Sequence, residues 1–175
     1  MTSTVVKDGR LKEKIETEGD YNERAAKKYS YHLLDKKLIK SKRTTSSIEL
    51  CDLLTNKKQF IHVKHRKGGS AGLSHLFAQG SVAAQIMLGD KEFRKAARTV
   101  LKRVKNGAQS IVPLDKFVSE GVEIVYLILG EEANKVKKTL PFFSKVNLTK
   151  AFEDLSQRGF TVTVSGVGKE KSKSV

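Results

Sequence analysis

The chain has 175 residues, and its 34 Lys and Arg outnumber its 19 Asp and Glu by enough to give a formal net charge of +15. This length suits one domain with a buried core. The charge excess attracts polyanions, with nucleic acid the first candidate and an anionic membrane surface the second. A single cysteine, Cys51, excludes an internal disulfide and a cysteine zinc site. We find no signal peptide and no apolar run of membrane-spanning length, and we therefore expect a cytoplasmic protein.

The first third of the chain predicts a helix followed by three strands. Residues 1–18 are polar and read as a loose segment or a weak strand. Asp20 as a cap, with Glu23 three residues later, marks the start of the helix, and two β-type runs joined by "TNKK" indicate a hairpin. The predicted elements are a helix over 20–29, a strand over 31–40 broken by a turn near Asp35, and hairpin strands over 47–54 and 59–65.

The remainder of the chain predicts helices that alternate with strands. Apolar spacing indicates a long helix with Gly80 as a candidate kink, and Asp90 is placed to cap the helix that follows it. "VEIVYLILG" is nearly all apolar, as expected of a strand buried on both faces. The predicted elements are helices over 73–88, 91–105 and 147–158, and strands over 122–129 and 160–167.

This order of elements predicts the fold class. A helix, three strands, helices, a strand, a helix and a strand favour an α/β or α+β fold, in which flanking helices cover a mixed central sheet. We expect one globular domain over residues 1–168. The last residues, 169–175, are basic and low in apolar content, which predicts a disordered tail.

The sharpest candidate site lies in the predicted hairpin. With the turn at 56–58, Asp52 on the first strand lies opposite His62 on the second. Alternation then places Lys64 on the same face as His62. An acid beside a His-x-Lys pair on paired strands is unusual in a core, so the pattern predicts a polar site. The alternative is an ordinary cross-strand ion pair between Asp52 and Lys64 at the sheet edge.

The order of elements and this hairpin resemble the PD-(D/E)xK nuclease superfamily. Members of that superfamily hold a divalent metal with acids from the first helix and from the second and third strands, and a lysine orients the nucleophile. The resemblance implies a metal site at Asp52 and His62. Histidine stands where the superfamily has an acid, and it suits Mn²⁺ better than Mg²⁺, which prefers oxygen. The catalytic residues that the resemblance implies are Glu23, Asp52, His62 and Lys64.

A second resemblance covers residues from about 20 to 165. The chain is similar to the C-terminal part of a sporadically distributed bacterial family of unknown function, met among mobile and phage-defence genes. The similarity is carried by "YNERAAKK", "SIELCDLLT", "FIHVKHRKGGSAGLSHLFAQGSVAA" and "LPFFSKVNLTKAFEDLSQRGF". It implies a role in phage defence, with a larger defence complex or a homo-oligomer as the working form, and it brings no established reaction.

Basic segments predict contacts with phosphates. "RKGGSAG" is either a phosphate-binding loop ahead of a helix or a flexible connection. The helix over 91–105 has a basic face that either contacts phosphates or faces solvent. Aromatic residues make up 7% of the chain, and we expect Phe142 and Phe143 in the core, which argues against stacking on single strands. The residues expected to contact nucleic acid are His65, Arg66, Lys67, His75, Arg94, Arg98 and Lys102.

The sequence thus predicts a nucleic-acid-binding protein with a nuclease-like core, acting on DNA or RNA. Three interpretations stay open. The first is a phosphodiesterase that depends on Mg²⁺ or Mn²⁺, and the second is a non-catalytic binding or interaction module that keeps the fold. The third and weakest is an adaptor for a membrane surface or an acidic partner. The catalytic interpretation requires that the four implied residues converge within metal-ligand distances.

Overall fold

The protein is built on a five-stranded mixed sheet. The structure, a computed structural model, describes residues 2–7, 10–40 and 46–168. The tail predicted over 169–175 lies outside the described residues. Within the described part, the strands are β1 (Thr2–Lys7), β2 (Arg10–Ile15), β3 (His32–Leu33), β4 (Leu38–Ile39), β5 (Ile48–Glu49), β6 (Leu53–Leu54), β7 (Gln59–His65), β8 (Glu123–Leu129) and β9 (Thr161–Val167).

Five α-helices accompany these strands in the described part of the chain. The strand order in the central sheet is β3-β6-β7-β8-β9, with β3, β6 and β7 antiparallel and β7, β8 and β9 parallel. This arrangement confirms the predicted α/β class with a mixed sheet. None of the described helices combines the length and the apolar character that a membrane span needs. The helices are α1 (Glu18–Tyr29), α2 (Gly69–Gly89), α3 (Lys91–Val104), α4 (Val136–Thr139) and α5 (Phe142–Gln157).

Both faces of the sheet are buried under helices. Alternation along β8 sends Ile124, Tyr126 and Ile128 into the cluster formed with α2, α3 and α5. The same alternation sends Val125 and Leu129 into a second cluster with α1. β8 is therefore covered on both sides, as its nearly continuous apolar sequence predicts.

The hairpin is confirmed, but its first strand is shorter than expected. Leu53 pairs with Ile61 and Leu54 pairs with Phe60 in an antiparallel register. The chain bends at Asp52, and this bend separates β5 from β6. Side chains before the bend therefore do not follow the alternation that a continuous strand over 47–54 would impose.

Three helix starts differ from the sequence prediction, and α2 begins at Gly69, four residues before its predicted start at 73. α1 begins at Glu18 because Thr17 is its cap: the Thr17 side chain accepts from the Asp20 N–H, and the Asp20 carboxylate accepts from the Thr17 N–H. α5 begins at Phe142 instead of Asn147, directly after Pro141. Each helix therefore gains a first turn that the sequence analysis had left outside it.

α2 runs through Gly80, and the glycine is required there by close packing. A Cβ atom at this position would lie 2.6 Å from Cε1 of Tyr126. The Tyr126 hydroxyl donates to the Phe77 carbonyl at 3.0 Å, and burial is the main cause that raises the pKa of Tyr126 to about 12. The glycine thus lets α2 approach β8 closely.

Candidate functional site

The bend at Asp52 organises the candidate site. Its carbonyl accepts from the backbone N–H groups of Leu34 at 2.8 Å and Asp35 at 3.0 Å, and its own N–H donates to the Ile61 carbonyl. Its side-chain Oδ2 accepts from the Val63 N–H at 2.7 Å. These bonds join the β3–β4 turn to the hairpin, and they bring Asp35 to Asp52.

Three carboxyl groups meet at this point. Asp35, Glu49 and Asp52 each offer an oxygen, and these oxygens lie within 4.8 Å of one another. Glu49 accepts a hydrogen bond from Gln79 Nε2 at 2.9 Å and another from the Lys36 N–H. Lys36 Nζ lies 4.0 Å from Asp35 Oδ2, and because the Lys36 side chain is largely exposed, this ion pair is weak. We call these three residues the acidic cluster.

The acidic cluster takes up a proton more readily than isolated carboxyl groups do. Burial is the main cause that raises the pKa of Asp52 to about 7. The hydrogen bond from Val63 opposes this rise, and the charges of Glu49 and Asp35 add to it. Burial also raises the pKa of Glu49. Near neutral pH, either a proton or a cation relieves the repulsion.

A hard divalent cation fits the chemistry of this donor set. Mg²⁺ and Mn²⁺ bind carboxylate oxygens, and a cation held by Asp35, Glu49 and Asp52 would displace the proton from Asp52. Asp52 was predicted as a site residue, and its two partners were not. In a continuous strand over 47–54, alternation would place Glu49 on the face opposite Asp52, but the bend at Asp52 breaks that alternation. The turn expected near Asp35 was the available signal for the third acid.

His62 does not join the acidic cluster. Its side chain is fully buried, and neither ring nitrogen has a hydrogen-bond partner within the described part of the chain. It lies opposite Tyr126 in the β7–β8 register, with ring centroids 6.0 Å apart. Burial lowers its pKa to about 4, so the ring is neutral. The structure thus corrects the expected metal role of His62, because β7 points this side chain into the core.

Lys64 is paired with an acid of α1, although not with the acid that the resemblance implied. Glu23 is exposed, whereas Glu18 accepts from Lys64 Nζ at 2.9 Å and from the His65 N–H at 2.8 Å. No ion pair joins Lys64 to Asp52 within the described residues. Glu18 is the first residue of α1, directly after the Thr17 cap. The Thr17–Asp20 capping box was therefore the sequence signal that could have placed Glu18 in the helix.

An open cleft of about 730 Å³ lies between α1, the β3–β4 turn and the end of β7. Glu18 and Asp35 both line it, so the Lys64 ion pair and the acidic cluster border the same space. Lys67 and Gly68 form another wall, which brings the glycine-rich loop to the cleft. The lining residues are Glu16, Thr17, Glu18, Gly19, Asp35, Lys36, His65, Lys67 and Gly68.

Two arginines expected to contact phosphates donate hydrogen bonds to carbonyl groups of the chain. Arg94 is 5% exposed, and its guanidinium donates to the carbonyls of Met87 at 2.8 Å and Leu114 at 2.9 Å. Arg98 donates to the carbonyls of Gln109 and Val112, both at 2.7 Å. Arg94 thus binds carbonyl groups at the end of α2 and in the chain after α3, and Arg98 binds carbonyl groups after α3 through Nη1 alone. The predicted phosphate contact is wrong for Arg94, which is buried, and stays a prediction for Arg98, which is half-buried.

The other predicted contact residues lie nearer the surface. Lys67, His75 and Lys102 are exposed. His65 is half-buried and its ring accepts from the Lys67 N–H at 3.1 Å. Arg66 pairs with Glu131 and also donates to Thr139, which ties the glycine-rich loop to α4. This set therefore divides between the cleft, the loop and two helix surfaces.

The fold and the cluster define a mixed α/β domain with a carboxyl-rich, cation-compatible centre at a strand bend. The model of one family, the Family of unknown function (DUF6119), matches residues 2–168. The chain belongs to this family. No curated protein and no solved structure matches the chain.

Proposed function

We propose that this protein binds nucleic acid through the exposed face of α3. The observation that carries the proposal is a group of four exposed cations on and at the end of this helix, none of which takes part in an ion pair within the described part of the chain. Such cations are free to contact phosphates, which set affinity without reading sequence. These residues are Lys95, Lys102, Arg103 and Lys105.

The net charge of +15 supports this proposal because it raises the local concentration of any polyanion. Only Glu92 adds an exposed acid to α3 itself. The pairing of Lys91 with Asp115 occupies the first cation of the helix. The cationic surface therefore lies toward the C-terminal half of α3, where a helix end also favours positive charge on the protein.

A salt titration of duplex DNA binding tests the proposal. In the variant with Lys95, Lys102 and Lys105 all changed to Ala, we expect the slope of log K against log salt to fall by about 0.9 per lost phosphate contact. A matched variant with Lys27, Lys28 and Lys57 changed to Ala removes the same charge from exposed positions elsewhere. Equal slopes in the two variants would refute the role of α3, and no binding at low salt would refute the proposal.

A second candidate function is metal-dependent cleavage of phosphodiesters at the acidic cluster. It is favoured by three carboxyl oxygens within 4.8 Å of one another, one of them from Asp35, which lines the cleft together with Glu18, the ion-pair partner of Lys64. The resemblance to PD-(D/E)xK nucleases, in which acids and a lysine serve this reaction, supports it. A divalent cation would supply water activation and charge neutralisation there. Lys64, positioned by Glu18, would orient the nucleophile or the phosphate.

Cleavage assays on plasmid DNA and on RNA, with Mg²⁺ and Mn²⁺, test this candidate. We expect Lys64→Ala to abolish cleavage and leave binding nearly intact, because one charge among 34 adds little affinity. Lys57→Ala, at an exposed position, is the matched control. If no cation supports cleavage, the non-catalytic binding module remains the proposed function. Action in the cytoplasm and in phage defence, within a larger complex or a homo-oligomer, stays part of the proposal.

A further inference from the structure

We infer that the exposed face of α5 binds single-stranded nucleic acid, with bases stacking on Phe142 and Phe143 and phosphates contacting Lys138 and Lys145. This inference rests on the proposed function and deepens it by naming a strand form and a second surface. We call these four residues the aromatic patch.

The aromatic side chains of the patch are unusually exposed. Phe142 is 72% exposed and Phe143 is 70% exposed, which overturns the expectation that both lie in the core. Their ring centroids are 5.5 Å apart at an interplanar angle of 73°. Four of the eight exposed large apolar side chains in the described part of the chain lie on α5, so exposure is concentrated there. The other two on this helix are Val146 and Phe152.

The physical cause of this exposure is the early start of α5. Ser144, the third residue of the helix, is fully buried, and its hydroxyl lies 3.2 Å from that of Ser70 on α2. Ala151 and Leu155 are buried on the same helix. These contacts fix which face of α5 packs against the protein, and both phenylalanines lie on the other face.

Exposed lysines lie at the end of α4 and in the first turn of α5. Lys145 Nζ donates to the Lys138 carbonyl at 3.1 Å, which holds its ammonium group at the end of α4, close to the first turn of α5. Lys138 itself is exposed. Lys137 lines a groove of about 320 Å³ with Phe152 of α5 and with Val164 of the edge strand β9. The partner that suits this surface is therefore anionic and carries flat apolar groups.

Single-stranded nucleic acid has both properties. Its bases are free to stack on aromatic rings, while its phosphates are spaced to meet lysines. In a duplex the base faces are already stacked on one another, so a duplex gains nothing from Phe142 or Phe143. The surface of α3 has the complementary character, because it offers cations without an exposed aromatic ring.

The test compares a 15-nucleotide oligothymidine with a 15-base-pair duplex by fluorescence anisotropy. Changing Phe142 and Phe143 to Leu keeps an apolar surface and removes the rings. We expect this variant to bind the single strand at least about fivefold more weakly and to bind the duplex as the wild type does. Changing both residues to Trp should restore single-strand affinity. Ultraviolet cross-linking of the oligothymidine should place the cross-link at Phe142 or Phe143.

Several outcomes would overturn the inference. Undiminished single-strand binding by the Leu variant, or cross-links confined to other elements, would remove the stacking role while leaving the duplex proposal intact. Binding to vesicles rich in phosphatidylserine without binding to oligothymidine would assign the patch to a membrane. A dimer that Phe142→Ala converts to a monomer would assign it to a second copy. The α3 triple-lysine variant separates the two surfaces, because it should weaken duplex binding and keep the cross-link.

Discussion

Two polar side chains of one hairpin, Asp52 and His62, meet opposite surroundings. Both are buried, and burial moves each pKa toward the neutral form: that of Asp52 up to about 7 and that of His62 down to about 4. Asp52 lies with two further carboxyl groups beside an open cleft. His62 lies against Tyr126 with no hydrogen-bond partner in the described residues. Burial alone therefore does not mark a site, and the neighbours of a buried group decide what it can bind.

The largest effect that sharpens this comparison is expected from Asp52→Asn. The ordinary pKa of an Asp is 3.8, so between about pH 4 and pH 7 folded Asp52 keeps a proton that the unfolded chain has released. Asp52 therefore contributes about 4 kcal/mol to the free energy of unfolding below about pH 4, and this contribution is lost as the pH rises to about 7. The variant should escape this loss, as measured by urea unfolding from pH 4 to pH 8.

Glu120→Gln, at an exposed position, is the control for Asp52→Asn and should follow the wild type. If Asp52→Asn also follows the wild type across this range, folded Asp52 does not hold the proton. The two buried groups would then no longer have opposite effects on the pH dependence of stability.

The next effect, of opposite sign, is expected from His62→Leu. His62 has an ordinary pKa of 6.5 and a folded pKa of about 4. The neutral ring therefore contributes about 3 kcal/mol to the free energy of unfolding above about pH 6.5, and this contribution is lost as the pH falls to about 4. The variant should gain this amount relative to wild type between pH 7 and pH 4. His75→Leu, at an exposed histidine, should show no such gain.

The changes of stability with pH that arise from Asp52 and from His62 have opposite signs, and they largely cancel in the wild-type protein between about pH 4 and pH 6.5. The free energy of unfolding should therefore vary little there, while Asp52→Asn rises with pH and His62→Leu falls with pH. Parallel curves for the two variants would show that the two buried groups do not titrate in opposite directions. The double variant should again be nearly flat.

A smaller effect is expected from divalent cations, which should act on the acidic cluster and leave His62 unaffected. At ten times its Kd, Mn²⁺ should add about 1.4 kcal/mol to the free energy of unfolding. The same concentration should act less at pH 6 than at pH 8, because the proton on Asp52 competes with the cation. Thermal unfolding with and without Mn²⁺ measures this. His62→Leu should respond as the wild type does, and a response retained by Asp52→Asn would place the cation elsewhere.

The smallest effect is expected from Glu18→Gln. The Glu18–Lys64 ion pair is about one-third exposed at each side chain, so water and salt screen it. Its loss should cost about 0.5 kcal/mol, and Gln can still accept from the His65 N–H. Urea unfolding at low and high salt measures this, with Glu132→Gln, the partner of exposed Lys135, as the control. A loss of several kcal/mol would mean that Glu18, like the acidic cluster, is a buried charge.

Local patterns were sufficient for the fold class and for most elements. The β-type runs around "TNKK" predicted the hairpin, and the apolar run at β8 predicted a strand buried on both faces. The same patterns placed Asp52 in a polar site, and the acidic cluster agrees with that placement. They failed for the partners of Asp52, since Asp35 reaches it across a turn and Glu49 reaches it across a bend.

The sequence by itself therefore determined what depends on composition and on local periodicity. Composition set the net charge of +15, and periodicity set the positions of strands and helices and the class of the sheet. Only the tertiary structure decided that Arg94 binds carbonyl groups inside the protein, that His62 has no hydrogen-bond partner among the described residues, and that Phe142 and Phe143 face outward. The physical reason is that periodicity assigns a residue to a face of its own element. Which neighbours cover that face depends on contacts between residues far apart in the chain, such as Ser144 with Ser70 and Asp52 with Asp35.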